Sequence, residues 1–234
     1  MCRRGCEQAE YFNFHPCLYI EQIYADHNSM LIGLTGKYCA GKNHIAEILE
    51  KRGLPVLDVD KLGHKVLETE KRAILDQFGS DLQKNDGSLD RRLLGERVYK
   101  NPEDLAKLEA IVHPGVNRLT GEWIAEKKNA GCKACVINAA LLHKSSVYDR
   151  LNFVILVSAP FLTRLFRARQ RDRLPWKEII KRFASQKDFN SQYLSIKAEI
   201  NKVENCGFQI GMGLLGSRKL KIERRIDKII EGII

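Results

Sequence analysis

The chain contains no apolar run approaching the roughly 18 residues that a membrane-crossing helix needs, which argues against a helical membrane protein. Residues 1–29 lack the apolar stretch of a secretory leader. Also missing is the even, regularly spaced cysteine set of a disulfide scaffold. The seven cysteines (Cys2, Cys6, Cys17, Cys39, Cys132, Cys135 and Cys206) are odd in number and irregularly placed. One close pair exists, Cys132-Lys-Ala-Cys135, but it has neither a second such pair nor a histidine cluster to complete a metal site. It reads as two structural thiols. Internal repeats and low-complexity tracts are absent as well. These absences together point to a reduced, cytoplasmic protein.

What is present is a globular composition. The 234 residues are 44% hydrophobic and 29% charged. That is enough for a sizeable core and roughly one to two domains. The formal net charge is +10, with a pI near 9.3. Such a balance draws an anionic partner: nucleic acid, an acidic membrane surface or a phosphate-rich small molecule. Charge alone does not choose among them.

The pattern along the chain sharpens the choice. Residues 1–29 are net acidic, with Arg3 and Arg4 against Glu7, Glu10, Glu21 and Asp26, and show neither a helical nor a strand period. They read as a disordered extension or a misplaced start, with Met30 opening the folded part, residues 30–234. From there, short apolar runs at 31–35, 55–57, 134–138 and 153–158 read as strands. The runs at 134–138 and 153–158 lack polar alternation, as in a parallel sheet covered on both faces. Helical spacing appears at 41–52, with Gly53 as its stop, and near 160–170, 175–187 and 217–232. Two or more helices are expected between Asp60 and about Lys128. Turn chemistry stands at Asn85-Asp-Gly87 and Asn101-Pro102. Strand–helix alternation of this kind predicts an α/β fold with a central parallel sheet.

The most informative stretch is Gly36-Lys37-Tyr38-Cys39-Ala40-Gly41-Lys42-Asn43, with His44 beyond it. It fits G-x-x-x-x-G-K-[ST] at every fixed position but the last, and lies between a strand and an amphipathic helix. Gly36 and Gly41 are expected to permit the backbone angles that turn amides inward onto phosphate oxygens. The positive end of the following helix adds to that field. Lys42 would reach the β- and γ-phosphates. Asn43 stands where a hydroxyl normally meets Mg²⁺; its side-chain oxygen is a neutral donor of suitable hardness. A second glycine pattern, Gly211-Met-Gly213-Leu-Leu-Gly216, has too little chain after it for a dinucleotide fold and reads as a turn.

Asp58-Val-Asp60 closes the second predicted strand. Extended alternation would point both carboxylates to one side of the ligand crevice, one as a proton acceptor and one ordering Mg²⁺ or its waters. A helix N-cap is the competing reading for Asp60. Farther on, Arg164, Arg167, Arg169, Arg171, Arg173, Lys177, Lys181, Arg182 and Lys187 face only Asp172, Glu178 and Asp188, so residues 161–190 carry +6 of the +10. Arginine forks suit phosphate oxygens and a closing lid; a solvated basic face or a nucleic-acid patch is the alternative.

Taken in order, these pieces resemble the dephospho-CoA kinase family from Met30 to about Gly207. The matching pieces are Ile32-Gly-Leu-Thr-Gly36 into the phosphate loop, Val56-Leu-Asp-Val-Asp60, Phe78-Gly79, Asp86-Gly-Ser-Leu-Asp-Arg91 with Leu94, and Leu108-Glu-Ala-Ile-Val-His113-Pro114. Arg171-Asp172, Arg182 to Gln186 and Asn205-Cys-Gly207 complete the set. The resemblance implies a phosphate-loop NTP hydrolase-like three-layer fold with a helical substrate-binding insertion near 60–130 and a lid near 165–187. It implies ATP-dependent phosphorylation of the ribose 3′-hydroxyl of dephospho-CoA, with ATP and Mg²⁺, as a monomer or weak homo-oligomer needing neither nucleic acid nor membrane. Asp60 matches the general base, Lys42 and residues 36–44 the ATP site, and Arg171 the lid. Asp58, Asp60, Arg91 and His113 match the substrate side, although His113-Pro114 also reads as a buried structural turn. Arg91 would pair with a substrate phosphate or with a helix carboxylate. The chain departs from the family at Lys37, at Asn43, and at Asn138-Ala-Ala-Leu-Leu-His-Lys144, where Lys144 replaces a carboxylate. A weakly catalytic nucleotide binder and another phosphate-loop small-molecule kinase are the remaining readings.

Overall fold

The computed structural model describes residues 29–186, Phe189, Tyr193, 198–205 and 215–232, with backbone only over 215–219. Apart from Ser29, the expected N-terminal extension lies outside them, as do Lys187, Asp188, Cys206, Gly207 and most of the second glycine pattern.

Five parallel strands form one sheet in the order β2-β3-β1-β4-β5. They are β1 (Met30–Gly36), β2 (Val56–Asp58), β3 (Ala134–Asn138), β4 (Phe153–Ser158) and β5 (Glu199–Glu204). The central strand β1 pairs Leu34 with Asn138 on one side and Gly36 with Val157 on the other. Strand β3 and all but the last residue of β4 are buried, which explains their unbroken apolar sequence.

Helices cover both faces. One core joins Ile32, Leu34, Val136, Ile155 and Val157 to Ile45, Ile48 and Leu49 of α1 (Lys42–Lys51) and to Ile222, Ile226 and Ile229 of α8 (Leu215–Glu231). The opposite core joins Leu31, Ile137, Val154 and Leu156 to Ile124, Leu142, Leu151, Phe189 and Tyr193. A third core stands apart from the sheet. Ile74, Phe78, Leu82, Leu89, Leu94 and Val98 pack together within α3 (Lys71–Phe78), α4 (Arg91–Val98) and the loop between them. Leu105, Leu108, Ile111 and Val112 of α5 (Pro102–Asn129) close this core. Helix α2 (Val59–Thr69) connects β2 to it. Where α2 meets α5, Gly115 admits Val66: a Cβ at Gly115 would lie 2.8 Å from Val66 Cγ1.

Three local readings change, but the turn expected at Asn101-Pro102 stands, since the Asn101 N–H donates to the Val98 carbonyl at 3.3 Å between α4 and α5. Asn101 Oδ1 accepts the Glu103 N–H at 3.0 Å and Pro102 occupies the first position of α5, where its missing donor costs nothing. His113 and Pro114 are exposed within the same helix, so the buried-turn alternative fails. β2 stops at Asp58 and α2 begins at Val59, so Asp58 and Asp60 do not share an extended segment. The N-cap is Asp58, whose carboxylate accepts the Lys61 N–H at 3.0 Å, and not Asp60. Lastly, β5 has no counterpart among the expected strands. It is an edge strand with a single neighbour, and Glu-Ile-Asn-Lys-Val-Glu carries the charges that keep such an edge from pairing further.

Helices α6 (Phe161–Asp172) and α7 (Trp176–Ala184) form a hairpin whose connection passes through Arg173 at φ 52°. Among the described residues, no helix is long and apolar enough to cross a membrane.

The α2–α5 contact generates a stability test. Gly115→Val should lower the unfolding free energy by about 1–3 kcal/mol through overpacking against Val66, read as a lower urea midpoint at unchanged slope.

Candidate active site

The site begins where β1 ends. The chain leaves Gly36, turns through Lys37–Ala40 and enters α1 with Gly41 as N-cap at φ 94°. Gly41 therefore needs its left-handed backbone, as expected. Gly36 is required for a different reason. It is not left-handed; a Cβ there would sit 2.7 Å from the Val157 carbonyl oxygen on β4. Cys39, at φ 58°, takes the left-handed turn without being glycine. The amides of Gly41, Lys42 and Asn43 precede the first full helical turn and have no partner inside the helix. They are the donors an anion would meet.

The loop is held at its carbonyls. The Arg167 guanidinium on α6 donates to the Ala40 carbonyl at 3.1 Å and to the Cys39 carbonyl at 3.4 Å. It also donates to the Asn205 carbonyl and side-chain oxygen, both at 3.2 Å. Asn205 Nδ2 donates to the Ala40 carbonyl at 3.0 Å. Asn205 is fixed by its own N–H, which reaches Ser158 at the end of β4 at 2.7 Å. With the loop carbonyls pulled outward, the cleft of about 670 Å³ in front of the loop is lined by Gly36–Asn43, Asp60, Ala140, Arg167, Gln170, Arg171 and Gln186.

Two pairs occupy the floor of this region. Lys42 Nζ donates to Asp60 Oδ2 at 2.6 Å, and Asp60 Oδ1 accepts the Ala140 N–H at 3.2 Å. Asp60 thus lies in the first turn of α2 and still reaches the loop lysine. Beside it, Asn138 Nδ2 at the end of β3 donates to Asn43 Oδ1 at 3.4 Å. Asn138 is buried, and its Oδ1 has no hydrogen-bond partner. An orphaned buried oxygen beside Asn43 fits a small hard cation that keeps most of its shell from water and phosphate. Among the described residues, no cluster of three or more histidines, cysteines or acids offers another metal site.

The α6–α7 hairpin meets the loop at Tyr38. Its hydroxyl donates to Asp172, and its N–H donates to Gln186 Oε1 at 2.7 Å. Arg171 and Arg182 lie over its ring at 5.3 Å and 5.8 Å, and Phe183 meets it edge-on at 5.4 Å. Asp172 accepts Arg171 Nε at 2.7 Å and Arg182 Nη1 at 3.2 Å. The Arg171 hydrogen bond holds the Asp172 carboxyl below its ordinary range. Burial pushes the Tyr38 phenol and the Cys39 thiol up.

The remaining expected site residues are spread out. Asp58, His44, Arg91 and His113 do not line the cleft. His44 is exposed on α1 beside Glu47. Arg91 follows the Asp90 cap of α4, exposed and without an ion pair to a carboxylate among the described residues. Lys144, a departure from the family's pattern, pairs with Glu109 of α5 at 2.7 Å. Next to it, burial and Lys144 lower the pKa of His143, whose Nδ1 lies 3.5 Å from the Tyr193 hydroxyl. Sequence reasoning flagged 138–144 as a departure near the substrate but missed the contacts of Asn138 with Asn43 and of Ala140 with Asp60, and missed the bracing role of Arg167 and Asn205. Only spatial register could reveal these: Asn138 sits opposite Leu34, one strand from the loop.

Comparison with known proteins identifies the family. The sequence model of the dephospho-CoA kinase family matches residues 30–201. A dephospho-CoA kinase of Treponema pallidum is 32% identical over 207 residues, covering 86% of this chain and 93% of that protein. One from Treponema denticola is 34% identical over 195 residues, covering 79% and 86%. Among solved structures, TT1252 from Thermus thermophilus superposes with a TM-score of 0.71 at 28% identity, covering 88% of this chain and 98% of the other. The dephospho-CoA kinase from Campylobacter jejuni gives 0.61 at 25% identity, covering 87% and 96%. With its fold, its phosphate loop and these matches in agreement, the chain belongs to the dephospho-CoA kinase family.

Proposed function

We propose that this protein transfers the γ-phosphoryl group of ATP to the ribose 3′-hydroxyl of dephospho-CoA, giving coenzyme A and ADP. The observation that carries the reading is the 2.6 Å pair between Lys42 and Asp60 inside the cleft of the phosphate loop. It puts a phosphate-binding cation and a proton acceptor at one point, as in-line transfer requires.

The loop amides and the N-terminus of α1 bind the β- and γ-phosphates. Lys42 is then drawn to the incoming phosphate and releases Asp60, which the Ala140 N–H continues to orient. The 3′-oxygen attacks the γ-phosphorus as the bond to the ADP oxygen breaks, and Asp60 takes the hydroxyl proton. Lys42 and Arg171 offset charge on the equatorial oxygens. Asn43 Oδ1 and Asn138 Oδ1 would hold Mg²⁺, which neutralises phosphate charge when bound. Residues 165–187 act as the lid that excludes water. Dephospho-CoA lies toward the helices of residues 60–130, with Asp58, Arg91 and His113 as its contacts. Arg91 is exposed and unpaired with any described carboxylate, which supports a substrate phosphate as its partner. The reading assigns the basic charge to polyphosphates rather than nucleic acid, and places the enzyme in the cytoplasm with Cys39, Cys132 and Cys135 as thiols.

Asp60→Asn should reduce kcat in a coupled ADP-release assay with dephospho-CoA by about 10²–10⁴-fold. ATP affinity measured by calorimetry should change no more than a few-fold; a variant with the wild-type rate removes Asp60 as the base. Removing both amides, Asn43→Ala with Asn138→Ala, should raise the Mg²⁺ concentration needed for half-maximal binding of a non-hydrolysable ATP analogue by about tenfold or more.

A further inference from the structure

We infer that the Tyr38 side chain is a positioning residue, an aromatic anchor that sets Arg171 at the phosphate cleft, with Arg182 beside it on the same ring, and ties the hairpin's placement to the occupancy of the loop. The loop's backbone is enough to bind phosphate, so nothing in that role calls for a large ring at this position. Yet the Tyr38 side chain engages the hairpin by its ring face, its ring edge and its hydroxyl.

Two guanidiniums use the ring as a surface, at 5.3 Å and 5.8 Å. This is within the range where a cation gains from an aromatic π cloud. Phe183 backs the ring edge-on, and Arg164 lies over Phe183 at 4.9 Å, which extends the stack into α6. The hydroxyl shares its acceptor, Asp172, with the same two arginines. The backbone N–H of the same residue, a donor belonging to the phosphate loop, is taken by Gln186 Oε1, two residues past α7. Tyr38 therefore holds the hairpin by its ring, its hydroxyl and its amide.

Each of the polar contacts has a phosphate equivalent. Asp172 offers Arg171 and Arg182 a carboxylate, and Gln186 offers the Tyr38 amide an oxygen. Polyphosphate oxygens entering the cleft compete for both sets of donors with greater charge. The ring contacts are the ones that phosphate does not replace. They keep the two guanidiniums on the ring, Arg171 at the cleft and Arg182 next to it, while their partner changes from Asp172 to the nucleotide. The identity of that nucleotide rests on the phosphotransfer reading; the anchoring does not.

The test uses the full chain and ATP alone. Tyr38→Leu keeps the bulk and removes the π face and the hydroxyl; Tyr38→Phe keeps the face. The expected result is an ATP dissociation constant raised about tenfold for Tyr38→Leu and clearly less for Tyr38→Phe. ATP should protect the wild type, and not Tyr38→Leu, from tryptic cleavage within 171–182. A cycle with Arg182→Ala, at an exposed position, isolates the coupling: the double variant should bind ATP about as weakly as Tyr38→Leu alone. Wild-type affinity and protection in Tyr38→Leu would overturn the inference, as would effects of the two changes that simply multiply. If Tyr38→Leu does not fold, the cycle of Tyr38→Phe with Asp172→Asn reads the hydroxyl arm, and independent effects there overturn the inference equally. Since no arm contains dephospho-CoA, coupling here together with no coenzyme A formation in the separate assay with dephospho-CoA would sink the phosphotransfer reading alone. Coenzyme A formation without coupling would sink only the anchor.

Discussion

The site depends on one guanidinium beside the phosphate loop. Arg167 and Asn205 together engage the outward-facing carbonyls of Cys39 and Ala40. A peptide unit whose carbonyl is fixed on one side presents its neighbouring N–H groups to the other. The anion-binding face is therefore shaped by contacts to the loop's carbonyls. The brace also sets a steric limit. A side chain at Gly41 would overlap Asn205 Nδ2 at 2.1 Å, so the loop's second glycine answers both to its own φ and to a residue more than 160 positions later. Helix α6 and the end of β5 are in this sense part of the loop.

The same arrangement explains what could be read in the sequence. β1, the loop, α1, β3 and β4 announce themselves because burial on both faces forces continuous apolar strands, and because glycine spacing reports a backbone constraint directly. β5 did not, since an edge strand answers to one neighbour and can be mostly polar. The first turn of α2 was misplaced by two residues because Asp58 and Asp60 are equally good caps by composition; only the Lys61 amide decides between them. Pro114 looked like a break, yet α5 runs through it, its exposed ring tolerated by packing elsewhere on the helix. At the site, Lys42 and Asp60 were legible as types, whereas their pairing and the Asn43–Asn138 contact require two strand ends to be brought side by side.

The basic cluster changes most in meaning. As a count it is a field of +6 over residues 161–190. In space it is largely spoken for. Arg167 is bound to carbonyls, and Arg171 and Arg182 share Asp172. Arg169 lies over Trp176 and donates to the Leu174 carbonyl, and Arg164 rests on Phe183. Such charge does less for long-range attraction than for local order. Guanidiniums already oriented by a ring or a carboxylate lose less freedom when a phosphate replaces one partner than free side chains would.

The third hydrophobic core, described above as standing apart from the sheet, divides the molecule's tolerance to damage. Its residues from Ile74 to Val98 are buried against one another and closed by partly buried residues of α5, whereas Ala40 of the phosphate loop belongs to the core under α1 and α8. Local unfolding follows such units. A substitution that loosens the third core is thus absorbed on the side proposed for the acceptor while the nucleotide cradle stays assembled. The two substrates would in that event be lost separately, and a protein that still grips ATP firmly would be no proof of an intact enzyme.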